Sequence, residues 1–130
     1  MLSKIKLLAI VLIASISMMA CKKDKENPTI MVLEPLAGAE CTWGSELHAE
    51  CIFKDDRELA SYHVFVGDEV GVVVPAFLFD YSGTTSGSSF TFHEHMIIPD
   101  SCETMYYLHF EITDAKDKTT SDKIMFYCMQ

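Results

Sequence analysis

From Thr29 to Cys128 apolar residues return at every second position in one segment after another, and no stretch there holds a 3.6-residue period. Successive side chains of a strand point to opposite faces, so this alternation commits the chain to sheets with one buried and one solvated face. Leu47, Ala49, Cys51 and Phe53 share one parity with His48 and Glu50 on the other. Tyr106, Leu108, Phe110 and Ile112 alternate in the same way with Tyr107, His109, Glu111 and Thr113.

Segments 29–35, 46–54, 59–67, 75–81, 89–98, 104–113 and 121–128 are rich in Val, Ile, Phe and Tyr, and Gly, Pro, Ser or Asp punctuates the connections. The run SGTTSGSS, 82–89, reads as a flexible loop within one domain, because the chain on either side is too short for two cores. About seven short strands over residues 29–130 predict an all-β fold, an antiparallel immunoglobulin-like sandwich.

The first twenty residues follow a different rule. Lys4 and Lys6 precede fourteen uncharged residues, 7–20, and then come Cys21 and the polar run KKDKEN. Fourteen helical residues span about 21 Å, short of the ~30 Å of a bilayer core, so residues 1–20 read as a secretory signal and not as a spanning helix. The junction Met18-Met19-Ala20-Cys21 resembles the lipobox of bacterial lipoproteins. On that resemblance Cys21 becomes the acylated first residue of the mature chain, residues 21–28 are its tether, and two or more acyl chains hold it stably in a membrane. Acidic residues soon after Cys21 resemble a surface-export signal. The expected location is therefore the outer membrane, facing the periplasm or the cell surface.

Removing the signal takes away two lysines and no acid, so the formal charge moves from -9 for the whole chain to -11. So acidic a domain lacks the cationic surface that releases counterions from a phosphate backbone, which excludes nucleic acid as a partner. It is also repelled by anionic lipid, leaving membrane attachment to the acyl chains.

Once Cys21 is assigned to the lipid, four cysteines remain for an oxidising compartment, and they can pair in three ways. Cys41 and Cys51 are symmetric about the turn-like Trp43-Gly44-Ser45, and Cys102 and Cys128 about Asp114–Lys118. Antiparallel hairpins would set each pair face to face, so the expected disulfides are Cys41–Cys51 and Cys102–Cys128.

The segments ENPTIMVLEP, GSELHAECIFKDDRELASYHV, HEHMIIP and MYYLHFEITDAKDKTTSDKI resemble the Bacteroidota lipoprotein family described as domain of unknown function 4625. The resemblance covers nearly all of residues 26–127. It implies an exported, lipid-anchored immunoglobulin-like domain.

Among chemically capable residues, His93 and His95 lie on the face of their strand opposite Phe90, Phe92 and Met96, and His48 and Glu50 share the outward face of theirs. In an immunoglobulin-like sandwich these two strands are antiparallel neighbours. His48, Glu50, His93 and His95 then converge on a patch suited to Zn²⁺, Cu²⁺ or Ni²⁺. His63 and His109 belong to the outer face of the other sheet. Asp55, Asp56 and Glu58 at one turn and Asp114, Asp117 and Asp122 at another offer oxygen ligands for calcium, but Asp that bonds its own backbone explains both turns without a metal. No nucleophile elbow, phosphate-binding Gly loop or HExxH is present, so the chain reads as a non-catalytic module requiring no cofactor. Trp43 lies in the first turn, where it either binds a protein or glycan partner or caps the core.

Overall fold

The computed structural model describes residues 26–130, so the signal, Cys21 and the start of the tether lie outside the described residues. Eight strands form two sheets: β1 (Thr29–Glu34), β2 (Ala39–Thr42), β3 (Glu46–Lys54), β4 (Leu59–Gly67), β5 (Asp80–Thr84), β6 (Ser89–Ile97), β7 (Met105–Asp114) and β8 (Thr119–Met129). One sheet has the order β1-β3-β6 and the other β2-β8-β7-β4-β5. The chain leaves the first sheet after β1 and enters the second as β2, alongside the last strand. This is the immunoglobulin-type Greek key, with the two sheets packed face to face.

The alternation decides what fills the space between the sheets. Leu47, Ala49, Cys51 and Phe53 of β3 meet Val64 and Val66 of β4 and Leu108, Phe110 and Ile112 of β7, all buried. Aromatic rings bind the layers at two places. Tyr62 lies 4.9 Å from Phe90 between ring centroids, and Phe77 packs edge-on to Tyr106 at 4.8 Å and to Phe126 at 5.7 Å. Such offset and edge-on pairs add about 0.5–1.5 kcal/mol each to the area they bury. Gly83 on β5 leaves room for the Tyr62 ring, since a Cβ there would stand 3.0 Å from its hydroxyl.

Two of the sequence expectations need correction. Residues 75–79 are not a strand: Pro75–Phe77 form a single 3₁₀ turn, and the strand is Asp80–Thr84, which runs on into the polar run that reads as a loop. Pro75 fixes φ and donates no hydrogen bond, which suits the first position of a helical turn. The sequence reading also lacks β2. Its four residues pair in parallel with β8, from Ala39 opposite Phe126 to Thr42 opposite Met129.

That parallel pairing also overturns one disulfide. The connection Trp43-Gly44-Ser45 crosses from one sheet to the other and does not fold back as a hairpin. Cys41 therefore aligns with Cys128 on β8, while Cys51 sits on β3 in the opposite sheet. Both are buried free thiols. Burial raises the pKa of Cys41, and burial reinforced by the Glu50 charge pushes Cys51 up to about 12. The other bridge is present: Cys102 and Cys128 are bonded, with Cα atoms 5.9 Å apart.

Strand directions give the sandwich two ends. At the entry end, Lys118 Nζ donates to the Glu26 carbonyl and Thr120 Oγ1 to the Pro28 carbonyl, 2.6 Å away, so the incoming chain docks beside the β7–β8 turn. The β3–β4 and β5–β6 turns share that end, joined by Leu59 N–H to the Gly87 carbonyl at 2.8 Å. At the far end lie the β2–β3, β4–β5 and β6–β7 connections, and there Gly44 N–H donates to the Ile98 carbonyl at 2.9 Å.

Candidate functional site

β3 and β6 pair antiparallel over nine residues without a bulge, setting His48 opposite His95 and Glu50 opposite His93. All four side chains of the sequence-derived patch therefore occupy the outward face of the three-stranded sheet. His48 Nδ1 and His93 Nε2 are 3.4 Å apart. On its other side His48 Nε2 is 2.7 Å from Glu46 Oε1, a contact the sequence reading did not single out although the i, i+2 spacing places Glu46 on that face. The His48 and His95 ring centroids are 6.0 Å apart. Glu34, beyond the bulge in β1, lies opposite Glu50 and extends the acidic border of the patch. Among the described residues no three His, Cys, Asp or Glu side chains close on one point as a metal cage.

The other two histidines serve the opposite sheet. His63 donates to Asp80 Oδ1 at 2.6 Å, with Glu111 Oε2 3.5 Å from its second ring nitrogen. Phe65 is stacked between His63 and His109, 4.4 Å from one ring centroid and 4.8 Å from the other. His109 Nε2 donates to the Asp68 carbonyl and Lys123 Nζ to the Glu69 carbonyl, tying the connection after β4 down onto the sheet. His109 thus holds a loop, and His63 ties β4 to its neighbours β5 and β7.

The acidic turns each use one carboxylate oxygen on their own backbone, while Asp55 Oδ1 and Asp114 Oδ2 are buried with no hydrogen bond among the described residues, the latter 3.6 Å from Lys118 Nζ. Asp55 Oδ2 accepts from the N–H groups of Arg57 and Glu58, and Asp114 Oδ1 from those of Lys116 and Lys118, all within 3.1 Å. Both carboxylates organise backbone turns. Trp43 is half-buried against the core, and its indole N–H donates to the Cys102 carbonyl at 2.9 Å, so it closes the far end of the core. The exposed apolar side chains lie elsewhere. Met105, Tyr127 and Met129 line a groove of about 470 Å³ with Glu40 and Thr104, and Val70, Val72 and Leu78 project from the β4–β5 connection, Leu78 being 91% exposed.

No protein-family model matches the chain, and no curated protein matches it. The likeness to the Bacteroidota lipoprotein family thus rests on the sequence segments quoted above. Among the described residues no helix is long and apolar enough to cross a membrane.

Proposed function

We propose that the chain is a lipid-anchored, non-catalytic immunoglobulin-like module of the bacterial envelope that presents its far end to a protein partner. The observation that carries this reading is the apolar groove of Met105, Tyr127 and Met129 beside the far end of β7 and β8. The exposed Val70, Val72 and Leu78 of the β4–β5 connection lie at the same end, together with the exposed acidic side chains Asp68, Glu69, Asp100 and Glu103. A chain acylated at Cys21 reaches Glu26 through four residues, a span of at most about 18 Å, so the entry end stays near the membrane. The groove at Met105 and Tyr127 then faces outward, where contiguous apolar surface marks protein interaction.

Photo-crosslinking in intact envelopes tests the docking. A crosslinker at Tyr127 is expected to capture a discrete partner that one at Lys116 does not. Equal yields from both positions, or none from Tyr127, would reject it. Intact-mass spectrometry tests the anchor: the expected mass begins at an acylated Cys21, and a mass retaining residues 1–20 would refute lipidation.

A further inference from the structure

We infer that His48 and His93 form the nucleus of a zinc-binding site on the outward face of β3 and β6, with His95 as third ligand and Glu46 orienting His48. The inference stands apart from the docking of a partner at the far end.

The argument begins with the 3.4 Å between His48 Nδ1 and His93 Nε2. A nitrogen–nitrogen hydrogen bond of that length lies beyond the 2.7–3.2 Å usual for N–H donors and contributes little. Two imidazole nitrogens at about 2.05 Å from one tetrahedral ion stand about 3.3 Å apart, which is the separation found. Adjacent corners of a square-planar site at about 2.0 Å would bring them to about 2.8 Å, so the spacing favours tetrahedral Zn²⁺ over square-planar Cu²⁺ or Ni²⁺.

The tautomers agree with this assignment. An ionised Glu46 only accepts, so the proton of His48 lies on Nε2, 2.7 Å from Glu46 Oε1, and Nδ1 turns an unprotonated lone pair toward His93. A carboxylate on the far nitrogen of a metal-bound imidazole is the arrangement that fixes ring orientation and raises ligand basicity. His93 binds through Nε2 once its proton resides on Nδ1, with no change in net charge.

His95 stands directly opposite His48, is exposed, and has the His48 ring as its neighbour 6.0 Å away. No three donors close on one point among the described residues, so the first two imidazoles capture the ion and His95 joins them by rotating about its own side-chain bonds. Water completes the tetrahedron. The uninterrupted β3–β6 ladder holds the three Cα positions, so the donors are presented on rigid backbone.

Titrating the metal-stripped full chain in detergent with Zn²⁺ alone is the test. The expected result is saturable binding of one ion per chain, weakened at least tenfold by His48→Ala and by His93→Ala, and by a smaller factor by His95→Ala. Glu46→Gln, which leaves every proposed ligand in place, is expected to weaken binding about tenfold, and His63→Ala to leave it unchanged. Absence of saturable binding, or unchanged binding in both His48→Ala and His93→Ala, would overturn the site. Should an alanine variant fail to fold, zinc-dependent shifts of the His48 and His93 ring resonances in the unmodified chain decide the matter, and their absence counts against it.

Discussion

The two ends of the sandwich are held by different means. At the entry end the chain is tied by hydrogen bonds: Asp55 and Asp114 bind backbone N–H groups two to four residues downstream, and Leu59, Lys118 and Thr120 reach the Gly87, Glu26 and Pro28 carbonyls. At the far end a covalent tie is added: Cys102 is bonded to Cys128, Trp43 N–H reaches the Met129 carbonyl, and the Trp43 indole reaches the Cys102 carbonyl. The exposed Met105, Tyr127 and Met129 line a groove with Cys128, beside that covalent tie.

Replacing both Cys102 and Cys128 by Ser tests that contrast most severely. The 26-residue separation gives a chain-entropy loss of about 3.5 kcal/mol, and a measured destabilisation of about 2–4 kcal/mol is expected in denaturant titrations. Asp114→Ala strands two N–H groups at a carboxylate site with no exposed surface, and about 2 kcal/mol should be lost. Because the ends are well separated, combining this change with the disulfide removal should be additive within about 0.5 kcal/mol. Strong coupling would show that the ends do not act separately.

A third measurement addresses the core between the ends. The Cys51 thiol ionises near 9.0 when unfolded and near 12 when folded, so between those values the unfolded state has released a proton the folded state keeps. Its contribution is full below pH 9.0 and is lost progressively as pH rises toward 12. Unfolding titrations across that window should show falling stability, with a shallower slope in Cys51→Ala. The smallest effect belongs to the far-end surface. Met105→Ser with Met129→Ser should change stability by no more than about 0.5 kcal/mol per site while abolishing the crosslink from position 127.

The ladders that build the histidine patch are legible residue by residue. The parity of His48, Glu50, His93 and His95 follows from alternation in two strands, and their convergence from the neighbouring positions those strands take in an immunoglobulin-like sheet. Glu46 is less visible because its importance arises from a rotamer that turns His48 Nε2 toward it. The Cys102–Cys128 bridge is legible because it closes across a hairpin with the turn chemistry of Asp114. Its apparent counterpart at Cys41 and Cys51 has equally symmetric spacing, and yet no hairpin forms, since β2 finds better company in β8.

What the sequence by itself determined is the all-β character, the strand faces and the turns whose carboxylates cap their own backbone, because each depends on residues within a few positions of one another. Tertiary structure alone decided that Ala39–Thr42 is a strand, that Cys41 stays a thiol, and that two imidazoles from separate strands stand 3.4 Å apart. The physical reason is that a strand's partner is chosen by burial and hydrogen bonding across the whole domain. Four residues such as Ala39–Thr42 carry too little pattern to announce a partner more than eighty positions away.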